Sequence, residues 1–340
     1  METTRTEMPA DVKYVGGVFE NQKVTKARNL GYDFITGFFI LQMILLHVLQ
    51  FAGEDLTRKP YSYLIYVFFY MPWYFYKSGT FFRERGVKET LAKDFRKLIL
   101  PLFFFSLFGL CVEAAIRLAE GEFTLRWLIL SNGMNFLRSG CIHANGALWF
   151  LTVLFLVKNL YNAIRSETVR WIAFAVSPLL AYVLHRFSVN WPLDLGACVL
   201  GFFYYACGVR MRNLQFRPSV FAAAVACYAV FCRMGISAID VNRNALLSGD
   251  YILAFVNALA GIVVFCNLAR FIRRPVPFFG TIGRDSMVFY AAHWPFLLVA
   301  RYLVAACGIT DPVAAVTLYV GVEAVALPCV YALNKRFGWV

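Results

Sequence analysis

Charge is scarce in this sequence. Only 16% of its 340 residues are Asp, Glu, Lys or Arg, against about 25% in a soluble domain. Acidic residues are the scarcer sign, 20 against 33 basic ones. Metal-ligand spacing is missing too: none of the nine cysteines falls in a CxxC pair. Most sit inside apolar segments, where a thiol behaves as a small hydrophobe, so neither a zinc site nor a disulfide framework is expected. No repeat period and no low-complexity tract occurs, and 17% aromatic residues is far from the chemistry of disorder. The polar first 29 residues contain no short apolar run ending in small residues, so a cleavable signal peptide is not expected.

What the sequence has in excess is apolar surface. Hydrophobic residues make up 60% of it and the mean hydropathy is +0.61, more than one soluble core can hide. The apolar residues come in blocks near the ~20 residues that cross a bilayer as a helix. Ten such spans are expected, at about 30–51, 61–82, 97–117, 145–163, 169–185, 192–209, 218–236, 250–269, 286–307 and 313–334. These runs are too long and continuously apolar for a barrel strand, and only helices satisfy backbone groups in lipid. With the N-terminus in the cytoplasm, 23 Lys and Arg fall on the cytoplasmic side and nine on the other, with Lys77 inside a span. That split follows the positive-inside rule for an even number of spans and both termini cytoplasmic. It also explains the net charge of +13 without nucleic acid. The expected architecture is an all-α polytopic membrane protein with about ten transmembrane helices in a single bundle. Residues 1–27 read as a flexible cytoplasmic tail, 28–334 as the bundle and 335–340 as a short cytoplasmic tail. The connection 118–144 is expected to form a re-entrant or interfacial helix.

Polar groups inside spans are costly and face a cavity or a partner. Asp33 and His47 in the first span are fourteen residues apart, about 40° around the helix and ~21 Å along it; they share a face but cannot touch. His47 suits a general base, or a structural hydrogen bond between helices. Asp33 suits a helix cap or a partner for Arg28. Lys77 either snorkels to the interface or meets an anionic cofactor. Glu113 and Arg117 are spaced as an i,i+4 ion pair. Asp194, Asn257 and Glu323 read as helix–helix contacts. His293, one to two turns inside the cytoplasmic end of its span and just before Pro295, suits a phosphate-rich cofactor or a neighbouring helix. Gly283 and Arg284 lie in the same compartment.

Five stretches together resemble the membrane acyltransferase family 3, in its short members: RNLGYDFITGFFILQMILLH at 28–47, FYMPWYFYKSGTFF at 69–82, KDFRKLILP at 93–101, GALWFLTVLF at 146–155 and GRDSMVFYAAHWP at 283–295. The resemblance implies an O-acyltransferase of the bacterial inner membrane. Such a protein moves an acyl group, acetyl in the first place and succinyl as the alternative, from cytoplasmic acyl-CoA to a hydroxyl of a cell-envelope glycan or glycolipid. Acetyl-CoA is then the expected donor, and no metal is expected. Membrane lipids and polysaccharide synthesis or export proteins are the expected partners, and nucleic acid is not. His47 matches the family's essential first-span histidine, and Asp33 joins it as the second catalytic candidate. Lys77, Lys93, Arg96, Lys97, Arg284 and His293 are the candidate donor contacts; Glu113, Arg117 and Trp149 are the candidate acceptor contacts. The chain departs from the family at Thr36 and Asp94, where basic residues are usual, and at Tyr70, where His is common. A flippase or exporter, or a non-catalytic assembly protein on the same scaffold, is the alternative implied by those departures.

Overall fold

The computed structural model describes residues 29–55, 69–212, 217–235, 239–246 and 249–338. Helices dominate it: α1 (Leu30–Phe51), α2 (Tyr70–Thr80), α3 (Val87–Asp94), α4 (Leu100–Glu120), α5 (Asn132–Ser139), α6 (Trp149–Ala163), α7 (Glu167–Arg186), α8 (Leu195–Met211), α9 (Pro218–Met234), α10 (Tyr251–Leu268), α11 (Pro277–Arg284), α12 (Ser286–Ala306) and α13 (Pro312–Phe337). A π-helical turn (Phe95–Ile99) joins α3 to α4, another (Trp127–Ser131) leads into α5, and a 3₁₀ turn (His143–Leu148) leads into α6. A two-residue hairpin pairs Ile239–Asp240 with Ala245–Leu246.

Among the described residues, seven helical stretches are long and apolar enough to cross a membrane, and α8 and α9 are apolar but only 17 residues each. Seven of the ten expected spans are thus matched by such stretches among the described residues. The first eight of the 22 residues of the second expected span, 61–68, lie outside the described residues, as does the tail 1–27. The expected interfacial segment at 118–144 does contain a short helix, α5, between the turns Trp127–Ser131 and His143–Leu148. At the other end of the chain the helix runs on to Phe337, so Lys335 and Arg336 are helical. Large apolar side chains stand exposed on the outer faces of α4 (Phe103, Leu107), α7 (Ile172, Val176, Leu179) and α13 (Val313, Val325). An apolar exterior around an apolar core is the arrangement lipid requires.

Two features set the interior. Glycines let backbones touch where side chains would hold them apart. A Cβ on Gly37 would collide with the Phe279 carbonyl, and one on Gly283 with the Asp33 carbonyl, so α11 lies directly against the first turns of α1. Prolines inside helices free carbonyls that must then find other donors. Pro178 in α7 removes the donor for Phe174, whose carbonyl accepts from the Ser177 hydroxyl at 3.0 Å. Pro295 in α12 does the same for Ala291, and the fully buried Asn145 amide donates to that carbonyl at 3.0 Å and to Phe105 at 3.3 Å. Asn145 thereby ties the 3₁₀ turn to α12 and α4 at once. The Tyr290 hydroxyl donates to the Ala147 carbonyl and closes the same junction.

Candidate active site

The junction of α1, α12 and the 3₁₀ turn brings two of the chain's four histidines together. His47 Nδ1 lies 2.9 Å from His293 Nε2, with the two rings parallel within 2°. His293 is completely buried, and its Nδ1 sits 2.6 Å from the Tyr290 main-chain oxygen. A carbonyl only accepts, so His293 carries its proton on Nδ1 and, when neutral, presents a lone pair at Nε2. His47 Nδ1–H must then be the donor to it. The one ring nitrogen left without a partner in this chain of bonds is His47 Nε2, and it bears a lone pair.

His47 is half-buried and lines a cavity of about 610 Å³. Trp149, Trp294, Tyr70 and Gln50 line it as well, with Asp240 and Arg243 from the hairpin and Arg301 from α12. Trp294 meets His47 edge to face at 5.3 Å and Phe51 at 5.1 Å, adding an aromatic contact to the imidazole. The cavity therefore has a basic nitrogen, an aromatic wall and a polar rim.

Of the two partners expected for His293, a phosphate-rich cofactor or a neighbouring helix, the contact present is with His47 of α1. The segment 270–284, expected as a cytoplasmic connection, contains the short helix Pro277–Arg284 packed against the first turns of α1, and α12 follows it from Ser286, with His293 seven residues on. Asp33 sits in the first turn of α1, beside Gly283 and far from the histidine pair. The cap of α1 is Asn29, whose side chain accepts from the Tyr32 N–H at 3.0 Å.

A second, smaller cavity of about 210 Å³ opens at the end of the bundle where α3 and α6 meet. Arg83, Arg85, Lys93, Lys97 and Lys158 line it with one carboxylate, Asp94. Asp94 is buried and holds Lys158 Nζ at 2.6 Å. Lys77 donates to the Thr36 hydroxyl at 2.7 Å, and Thr36 in turn donates to the Tyr32 carbonyl at 2.5 Å. Of the expected donor contacts, Lys93 and Lys97 line this cavity. Arg96 is exposed outside it, and Arg284 bonds Asp285 at 3.1 Å and the Tyr331 hydroxyl at 3.3 Å. Asp285, between α11 and α12, is held below the usual carboxylate range: burial pushes it up, but bonds from Arg284, Lys335 and Tyr331 outweigh that.

Trp149 lines the large cavity, whereas Glu113 and Arg117 do not. The Glu113 carboxylate takes two bonds from Arg117 at 3.1 Å and approaches His143 Nδ1 at 3.3 Å, while the Arg117 guanidinium lies 4.5 Å over the Trp127 ring. Together they clamp the 3₁₀ turn that carries Asn145. Sequence reasoning missed Lys158, Asn145, Trp294 and Arg301 as site residues. Pro295 was the available signal for Asn145, because a freed carbonyl in a span demands a donor. No group of three or more His, Cys, Asp or Glu residues positioned to hold a metal occurs among the described residues.

No curated protein and no solved structure shows a significant match to this chain. One family model does match: residues 29–335 fit the acyltransferase domain of acyltransferase family 3. The match spans both histidines, both cavities and nearly all of the bundle, and on that ground the chain belongs to this family of polytopic membrane acyltransferases.

Proposed function

We propose that the protein transfers an acyl group from acyl-CoA to a hydroxyl of an envelope glycan or glycolipid, with His47 as the general base. The observation that carries this reading is the bonded order Tyr290 carbonyl, His293, His47, cavity. It leaves His47 Nε2 as an acceptor facing a space large enough for a sugar unit. The acceptor O–H donates to Nε2 and its oxygen attacks the thioester carbonyl. The imidazolium then returns the proton to the leaving thiolate, so His47 ends as it began. Throughout, the bond to His293 holds the His47 ring in place and keeps its tautomer fixed.

The donor supplies an activated acyl thioester on a phosphate-rich carrier, and the basic cavity fits the phosphates. Five Lys and Arg side chains line it against one carboxylate, and that carboxylate is already matched by Lys158. Lys77, bonded to Thr36, stands where the basic residue usual in the family at position 36 would carry its charge. Lys158 likewise supplies a cation beside Asp94. The two departures at basic positions are thus accompanied by a lysine from another helix, which supports donor binding over a scaffold emptied of it. The expected setting is a bacterial inner membrane with the basic cavity on the cytoplasmic side.

The test compares envelope glycans and lipids by mass spectrometry from cells lacking the protein, cells with wild type and cells with His47→Ala at equal membrane level. An acyl mass increment that depends on wild type and disappears in the variant supports the reading. An increment that persists in His47→Ala removes His47 as the base, and the absence of any protein-dependent acylation removes acyl transfer.

A further inference from the structure

The large cavity carries information about what enters it. Of its charged lining residues, Asp240 and Arg243 belong to the same hairpin turn and act on each other electrostatically. Arg301 has no such match. It is exposed and makes no hydrogen bond or ion pair among the described residues, and its charge is felt by His143 and Tyr319. An uncompensated guanidinium at a cavity wall is a ready partner for a carboxylate or a phosphate, which it can bind through two parallel N–H bonds.

Its position on the helix is the second observation. Arg301 lies seven residues after Trp294, close to two full turns, so both side chains project from one face of α12 about 10.5 Å apart along the axis. Both line the cavity, and Trp294 is the residue stacked edge to face on His47. A ligand spanning from His47 Nε2 to Arg301 therefore has a hydroxyl at one end and an anion at the other. The Trp149 and Trp294 rings line the same cavity, and their flat apolar faces suit the C–H face of a sugar.

Building on the acyltransfer reading, we infer that the acceptor is an anionic saccharide. Arg301 holds a carboxylate or phosphate about one sugar unit away from the hydroxyl presented to His47. Arg301 is thus a specificity-determining residue for the acceptor and takes no part in proton transfer.

The experiment measures binding and transfer separately on the full chain in lipid nanodiscs. The probes are a glucuronic-acid disaccharide, its carboxyl-reduced neutral counterpart, and a phosphorylated disaccharide with its neutral counterpart. Binding is read by quenching of tryptophan fluorescence. The expected result is at least about tenfold tighter binding of one anionic probe than of its neutral counterpart, as one charged hydrogen-bond pair supplies. Which anionic probe binds tells carboxylate from phosphate. The preference should shrink with added salt, disappear in Arg301→Met and survive in part in Arg301→Lys. Because Arg301 makes no hydrogen bond or ion pair among the described residues, both variants should unfold at the wild-type temperature. Equal binding of the charged and neutral forms, no binding of either anionic probe, or a preference that persists in Arg301→Met overturns the inference. Transfer is scored on the same samples with acetyl-CoA. A binding preference without any acylated product removes the acyltransfer reading while leaving the anionic site standing. Acylation of charged and neutral probes alike removes the anionic site and leaves acyl transfer.

Discussion

His293 touches neither cavity and yet should control turnover. It is completely buried, and its one connection to the proposed chemistry is the 2.9 Å bond to His47. In His293→Phe, His47 Nδ1–H loses its acceptor in a space already closed to water. Leaving such a donor unmet costs about 1–3 kcal/mol. The imidazole relieves the cost by turning or by moving its proton to Nε2, and either change withdraws the lone pair from the cavity. If the whole of that cost appears in the barrier, kcat falls roughly 5- to 160-fold. KM should stay near the wild-type value, because neither donor nor acceptor touches His293. His293→Gln can restore an acceptor and should recover part of the loss. His47→Ala should cost more, about 10²–10⁴-fold. The double variant His47→Ala/His293→Phe should be no slower than His47→Ala alone, since His293 acts only through its neighbour. Acetyl transfer or thioester turnover in nanodiscs, with kcat and KM resolved, is the assay. A double variant that multiplies the two single losses, or a His293→Phe that raises KM and spares kcat, would refute the relay.

Other consequences can be checked alongside it. Asn145→Leu strips donors from the Ala291 and Phe105 carbonyls and should destabilise the bundle by about 1–3 kcal/mol per orphaned group, read as a lower unfolding temperature in detergent. Lys158→Met leaves the buried Asp94 charge unmatched and should cost about 3 kcal/mol or more, whereas Lys158→Met/Asp94→Leu should recover most of the stability and still lose affinity for the donor. Asp194, in the connection before α8, is pushed up to about 8 by burial and then by Asp240, with Arg138 opposing, and its Oδ2 has no hydrogen-bond partner. Its native pKa is higher than its unfolded one, so the native state keeps a proton that the unfolded chain gives up. Stability is therefore lost as pH rises from about 3.8 through about 8. Asp194→Asn should raise the unfolding temperature at pH 8 and leave it unchanged at pH 4. A variant with the same pH dependence as wild type would show that Asp194 does not titrate in this window.

The helices were legible because lipid imposes one rule on every span: long apolar blocks with their backbone bonds made internally. The boundaries of α7, α10 and α12 fall within a few residues of expectation for that reason. The short helix α11 was not legible. Its residues Pro277–Arg284 include Gly280, Gly283 and Arg284 and read as a basic connection. The partners of Thr36 and Asp94 escaped for a similar reason. Lys77 and Lys158 lie 41 and 64 residues away in the chain, and nothing local to either lysine records the contact.

By itself the sequence determined that the chain is a helical membrane protein. It marked His47 as a singular group in the first span, because hydropathy and residue type are properties of local stretches. Only the tertiary structure decided what each polar residue does. Glycine contacts bring α11 onto α1, directly ahead of α12. Pro295 frees a carbonyl that Asn145 answers across 146 residues. The same packing holds the meeting of His293 with His47 and the cavity beside it. Hydrogen bonds and ion pairs inside a membrane are made between distant parts of the chain, and their energy depends on distance and direction, which no count of residues contains.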